Sequence, residues 1–208
     1  MRFGIVVYED VEPLDIGATY GVLSMARRIE PTLEMCLVAA RAGTVRCASG
    51  LQVVAHHGFA DCPPADAVIV TGGPGWTREA ANPQMLAFLR SLPRTTGVVA
   101  SVCTGAMILA AAGLLDGHQA TTKREVIGAE IPPIAILRDE YPKIRVVTAP
   151  VVDEGAIVTG GGVSLAIDLT LHLLDRLGGA RLATETARII EYTTARRANA
   201  AAFQALAR

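Results

Sequence analysis

Aromatic residues make up only 4% of this 208-residue chain, with a single tryptophan among them. That scarcity argues against a surface that stacks nucleobases and against a groove for a large aromatic ligand. An excess of charge of one sign is also missing. Nineteen Lys and Arg face twenty Asp and Glu, a formal net charge of −1, which excludes the basic footprint of a nucleic-acid binder. No apolar run reaches the roughly 18 residues of a membrane span. The opening Met1–Tyr8 stretch is too short for the apolar core of a signal peptide and has no small-residue cleavage site. The expected location is therefore cytoplasmic. Four cysteines (Cys36, Cys47, Cys62 and Cys103) lack CxxC spacing, so neither a zinc site nor a disulfide framework is expected. The glycine-rich turns match neither GxGxxG nor the phosphate-loop pattern, which leaves no case for a nucleotide.

What is present is apolar sequence in a regular order. Hydrophobic residues form 51% of the chain, enough to bury a core without staples. Short β-branched runs alternate with longer segments of helical spacing, the pattern of a parallel sheet with crossover helices. Strands are predicted at Phe3–Tyr8, Glu34–Ala40, Asp66–Thr71, Gly97–Ser101, Ile144–Val147 and Ala156–Thr159. One or two further short strands fall in Val45–Ala55 around a turn at Ser49-Gly50. Helices are predicted over Leu14–Arg28, from Pro83 to Leu92, and over Thr104–Leu115, Val163–Leu177 and Ala180–Ala195, with a helical tail after Tyr192. The stretch between Thr122 and Pro133 carries no clear pattern. The reading is one α/β domain spanning residues 1–208.

Three glycine-rich turns end predicted strands: Thr71–Gly75, Cys103–Gly105 and Thr159–Gly162. In an open α/β sheet, ligands gather at that edge. Taken singly, each such turn is as well explained by tight connection as by binding. The Cys103 turn says more. A strand of small and β-branched residues delivers the cysteine to a sharp turn, and Thr104-Gly105-Ala106 opens an apolar helix, as in a nucleophile elbow. A thiol at a helix amino terminus feels the positive end of the dipole, which favours thiolate. The competing reading is a buried structural cysteine, the common fate of this residue; it dominates for Cys36, while Cys47 and Cys62 show no partner pattern. A thiol nucleophile needs an acid or base beside it. His56, His57, His118 and His172 do not stand after sheet strands. Asp15 does, and its competing role is a carboxylate at a helix start. Asp168, flanked by apolar residues, reads as a buried support for the Gly160–Gly162 turn.

These segments together resemble the ThiJ/PfpI superfamily, relatives of class I glutamine amidotransferases. Leu14-Asp15-Ile16, Val70-Thr71-Gly72-Gly73, Ser101-Val102-Cys103-Thr104-Gly105 with Ala111–Leu115, and Thr159–Gly162 with Ala166-Ile167-Asp168 carry the likeness. Phe59–Pro64 and Ala120-Thr121-Thr122 add to it. The resemblance implies a flavodoxin-like three-layer sandwich with a mainly parallel central sheet. It also implies a small-molecule substrate, no cofactor, no metal and a homodimer. Within the family it runs to the isonitrile-hydrating members, which implies a cysteine-dependent hydro-lyase. Cys103 is then the nucleophile, Asp15 its acidic partner and Thr104 the hydroxyl residue after it. Gly72, Gly73 and Gly161 are expected to line the substrate and supply backbone donors to a developing anion. The chain departs from the pattern at Thr121-Thr122-Lys123-Arg124, where isonitrile hydratases and related regulators have Thr-Thr-His-Trp, and at Gly17-Ala18-Thr19 after Asp15.

Other members of this family are glyoxalase-like or deglycase-like enzymes, or thiol sensors oxidised at the equivalent of Cys103. Related domains also form the front of AraC-type regulators, followed there by a helix-turn-helix domain. Sixteen residues follow Tyr192 here, too few for such a domain, so no nucleic-acid partner is expected.

Overall fold

The computed structural model of the protein describes residues 1–206. Its strands, in chain order, are β1 (Arg2–Val6), β2 (Glu34–Ala39), β3 (Gly43–Arg46), β4 (Gln52–Ala55), β5 (His57–Gly58), β6 (Ala65–Val70), β7 (Thr96–Ser101), β8 (Gln119–Ala120), β9 (Arg145–Val146), β10 (Val151–Asp153) and β11 (Ile157–Gly160). Seven of them form one sheet in the order β10-β11-β7-β6-β1-β2-β5. Every pairing in it is parallel except that between β10 and β11. β1, β6 and β7 are near-continuous apolar runs because helices cover both of their faces. β3 and β4 form an antiparallel hairpin whose turn holds Ser49 at φ 60°, at the predicted Ser49-Gly50 position.

The helices are α1 (Pro13–Ile16), α2 (Val22–Ala26), α3 (Trp76–Ala80), α4 (Pro83–Ser91), α5 (Gly105–Ala111), α6 (Pro133–Glu140), α7 (Ala166–Gly178), α8 (Ala180–Ile189) and α9 (Thr193–Leu206). α2, α7 and α8 pack together as one layer, and α3, α4 and α5 as another. The flavodoxin-like sandwich is therefore the observed architecture. Among the described residues no helix is long and apolar enough to cross a membrane.

Two helices differ from their sequence expectation. Leu14–Arg28 is not one α-helix, because α1 and α2 are joined by a π-helical turn over Gly17–Gly21. Thr19 Oγ1 donates to the Asp15 carbonyl at 2.7 Å within that turn, and glycines stand at both of its ends. Widened turns of this kind cluster at functional sites. Ala180–Ala195 is broken too: α8 ends at Ile189, Glu191 adopts φ 57°, and α9 starts afresh at Thr193. The patternless stretch after Thr122 is irregular as far as Pro132, and α6 follows it.

The order of strands decides where chemistry can occur. β1 sends one connection towards β2 and its other neighbour is β6, so the chain direction across the sheet reverses there. That switch point leaves a crevice outside the carboxyl ends of the strands. The segments after β1, β6, β7 and β11 all meet at this edge.

Candidate functional site

Cys103 stands two residues beyond β7 and two before α5, at φ 53°. A left-handed backbone at a non-glycine residue costs about 1–2 kcal/mol and persists only where the surroundings impose it. Here the surroundings do so. The Cys103 N–H donates to the Gly161 carbonyl at 2.9 Å, and Thr122 Oγ1 donates to the Cys103 carbonyl at 2.7 Å. On either side, Val102 N–H donates to Val70 O and Gly105 N–H to Val102 O. A side chain at Gly105 would meet the Val70 carbonyl at 2.1 Å, so only glycine lets α5 start this close to β6.

Asp15, in the first turn of α1, is fully buried at the same edge. Its Oδ2 accepts the Gly72 N–H at 2.7 Å, whereas Oδ1 makes no hydrogen bond. Burial raises the Asp15 pKa to about 7, against the Gly72 hydrogen bond that lowers it. Glu12 pushes it further up, while the Cys103 thiol, as a potential donor, and the Lys123 charge pull it down. The carboxyl is thus able to hold or release a proton near neutrality, as expected of a raised acid.

The thiol itself departs from expectation. Burial, then the Asp15 charge, push Cys103 up to about 12. Backbone N–H groups of Val163 and Thr104, with the Lys123 charge, act the other way without prevailing. A seven-residue helix terminus does not offset a nearly complete loss of solvent plus an adjacent carboxylate. In the resting site, therefore, sulfur keeps its proton.

The three glycines expected to face a developing anion also turn out differently. Gly72 N–H is taken by Asp15, Gly73 N–H by Thr104 Oγ1 at 2.9 Å, and Gly161 N–H by the Pro150 carbonyl at 3.0 Å. Each N–H holds the site together instead of waiting for a ligand. The donors aimed at the sulfur are those of Val163, at φ 52°, and Thr104. Val163 follows the glycine triplet directly, and that adjacency was the available signal for it.

Gly72 nevertheless depends on being glycine. A Cβ there would lie 2.5 Å from Thr104 N and 2.7 Å from Cys103 Cβ, both fixed by backbone. Gly72→Ala should lower stability by about 1–3 kcal/mol, as overpacking does. It should also slow alkylation of Cys103, because the turn must shift. Thermal melting and the rate of iodoacetamide labelling, read at the Cys103 peptide, check both effects.

Cys103, Gly73 and Thr104 open onto a cavity of about 700 Å³ whose wall is otherwise largely apolar, with Pro74, Trp76, Val126, Ile131, Ile136 and Val163. Glu12, Glu130 and Lys123 are its charged residues. Sequence reasoning missed Glu12, which caps α1, and Trp76, which starts α3. Lys123, noted only as a departure, stands in this wall with its ammonium on the Glu125 carbonyl. No histidine lines the cavity among the described residues. His57, His118 and His172 pair with Asp61, Glu154 and Asp153, and His56 Nδ1 accepts the Leu37 N–H. Another hollow, of about 530 Å³, lies by the amino ends of the strands near Arg2, Glu34 and Asp66 and holds no nucleophile. Asp168 stays away from the cavity; its Oδ2 accepts hydrogen bonds from Tyr192 and Asn199, each at 2.8 Å. Cys36, Cys47 and Cys62 are free thiols that do not line it.

The profile of the DJ-1/PfpI family matches residues 1–176. An isonitrile hydratase from Pseudomonas putida is 32% identical over 197 residues, covering 94% of this chain and 80% of that one. The transcriptional regulator GbdR of Pseudomonas aeruginosa is 30% identical over 149 residues, 71% of this chain but only 38% of the regulator. Among solved structures, a ThiJ/PfpI family protein from Pseudomonas syringae superposes with a TM-score of 0.77 at 25% identity, over 92% of this chain and 75% of that one. With the fold, the cysteine turn and these matches in agreement, the chain belongs to the DJ-1/PfpI family.

Proposed function

We propose that this protein hydrates isonitriles, R–N≡C, to N-substituted formamides, with Cys103 as nucleophile and Asp15 as the group that moves protons. One observation carries the reading: a buried carboxyl with a pKa of about 7 beside a thiol at the end of a mainly apolar cavity. An isonitrile is uncharged and small at its reacting end. It needs a nucleophile and a proton at the same carbon, which such a pair supplies.

The steps follow from the protonation states. Asp15, ionised, accepts the Cys103 proton as sulfur attacks the terminal carbon, so the high thiol pKa is met by concerted transfer. The sulfur is steadied as charge develops by the Val163 and Thr104 N–H groups. Asp15 then gives its proton to the same carbon, which leaves a neutral thioimidate, R–N=CH–S–Cys103. Water adds to that carbon with Asp15 as base. Collapse expels the thiol, nitrogen ends protonated, and R–NH–CHO leaves. One water is consumed and nothing is oxidised or reduced. Thr104 acts indirectly, its hydroxyl holding Gly73 against the turn.

Incubation with an alkyl or aryl isonitrile, following the formamide proton by NMR, tests the reading. Formamide in amounts exceeding the enzyme supports it; its absence across several isonitriles, with Cys103 intact, overturns it. A second reading is a site that binds a small molecule without turning it over. It is favoured by the likeness to GbdR, and calorimetric binding without product would support it. A glyoxalase-like or deglycase-like reaction lacks the histidine such chemistry wants at the thiol.

A further inference from the structure

One wall of the cavity is weakly built. Residues 124–132 carry only one backbone hydrogen bond donated within the stretch, from Glu130 N–H to the Ile127 carbonyl at 3.3 Å. Ile127 and Ile131 are largely exposed. Segments with few buried contacts and few hydrogen bonds open most easily. Yet this stretch supplies Val126, Glu130 and Ile131 to the cavity, and Lys123 precedes it. Something must hold it in place.

The chain supplies the holder from beyond the part that matches the family profile, which ends at residue 176. α9 is fastened at its near end to the start of α7. Tyr192 OH and Asn199 Nδ2 both donate to Asp168 Oδ2 at 2.8 Å, and Asn199 Nδ2 also donates to the Tyr192 oxygen at 2.9 Å. That near end lies beside the turn whose Gly161 carbonyl and Val163 N–H support Cys103. One turn and more beyond Asn199, Phe203 is 9% exposed, and the Arg124 guanidinium lies over its ring, 5.0 Å from the centroid. Arg124 also reaches Glu125 at 3.3 Å, inside the loop itself. α9 thus spans two of the segments that frame the thiol.

We infer that Phe203 and Arg124 form a positioning pair through which α9 sets the width of the substrate cavity, and so the bulk of the group R that it admits. This rests on the cavity being the substrate site, while the clamp itself needs no particular reaction. A cation over an aromatic face within this distance is an attraction that one truncation removes. In the Phe203 variants the loop keeps its sequence, and what changes is how often it swings away from Cys103.

The test uses the full chain as Phe203→Ala, Phe203→Tyr, Arg124→Met and the Phe203→Ala/Arg124→Met double variant. Hydrogen exchange of residues 122–132 should quicken about two- to tenfold in Phe203→Ala and stay near wild type in Phe203→Tyr. Labelling of Cys103 by a bulky maleimide should quicken by a similar factor, and labelling by iodoacetamide should not. Arg124→Met should match Phe203→Ala, and the double variant should add nothing to either. Unchanged exchange in 122–132, or a rise spread evenly over the chain, overturns the clamp. Because no readout uses an isonitrile, a wild type that makes no formamide leaves this result standing. If formamide does form, Phe203→Ala should lower KM for bulky isonitriles relative to methyl isonitrile, with kcat for the small one unchanged.

Discussion

Cys103→Ala is expected to bring isonitrile turnover to background, a loss on the order of 10⁴-fold or more, with the fold unchanged. The size of the effect follows from the proposed chemistry. Without sulfur no thioimidate forms, and the remaining groups can only orient water against a carbon that water attacks poorly. The fold should survive because none of the bonds that impose φ 53° uses the side chain. They run from the Cys103 N–H to Gly161 and from Thr122 to the Cys103 carbonyl. Alanine bears the same backbone cost as cysteine at this angle, so the two melt within a few degrees of each other. Formamide formation by NMR, beside a thermal melt, reads both. Normal turnover in the alanine protein would remove sulfur from the mechanism. A protein that melts far below wild type would show instead that the thiol is mainly a packing group. Cys103→Ser keeps shape and a hydroxyl but lacks a nucleophile that Asp15 can deprotonate with ease, so it too should fall close to background.

The parts of this site that were legible in the sequence are those governed by local rules. The β1, β6 and β7 runs are apolar throughout because both faces are covered, and such runs are visible without a structure. Cys103 was visible because a strand, a sharp turn and an apolar helix meet at it. Asp15 was visible from its place after β1. Their approach needed more: β1, β6 and β7 had to be neighbours, and pairing is a long-range fact. The same holds for the N–H groups of Gly72, Gly73 and Gly161, expected as free donors, though Gly73 itself lines the cavity. A glycine beside a cysteine suggests a free N–H, but whether the N–H is free depends on Asp15, Thr104 and Pro150, remote in sequence. The thiol pKa was misread because the dipole is a local effect, and burial, which outweighs it, is not. The π-helical turn at Gly17–Gly21 has the apolar spacing of an ordinary helix, so periodicity could not find it. Phe203 and Arg124 lie 79 residues apart, and no pattern links them before the chain folds.

Asp15→Asn should separate function from stability in opposite directions. Turnover is expected to fall about 10²–10⁴-fold, the usual worth of a positioned acid–base group, while Asp15→Glu, which keeps the carboxyl, loses less. Stability should move the other way. The folded pKa of Asp15 is about 7, above the 3.8 of an ordinary aspartate, because burial penalises its charge. For a group raised in this sense, the folded protein binds the proton that the unfolded chain has released. Its contribution is fully present below pH about 4 and is lost as the pH rises through 7, at about 1.36 kcal/mol per unit. Asparagine carries no charge and loses nothing over that range. It accepts the Gly72 N–H as the carboxylate does, but leaves an amide group where Oδ1 now has no partner, which cancels part of the gain. The charge penalty over that range is about 4 kcal/mol and the amide offsets about 2 of it. The balance is about 2 kcal/mol in favour of Asp15→Asn at pH 8, roughly 4–8 °C in Tm, and about 2 kcal/mol against it at pH 4, where only the amide cost remains. Alkylation supplies the discriminating reading. The Asp15 charge is one of the causes that push the Cys103 pKa up, so its removal should make iodoacetamide labelling at pH 8 faster, not slower. A variant that is more stable, labels faster and turns over far more slowly has lost a proton carrier and kept its nucleophile. Should labelling and turnover fall together with the Tm, Asp15 is a structural carboxylate that holds Gly72, and the proton steps assigned to it fail.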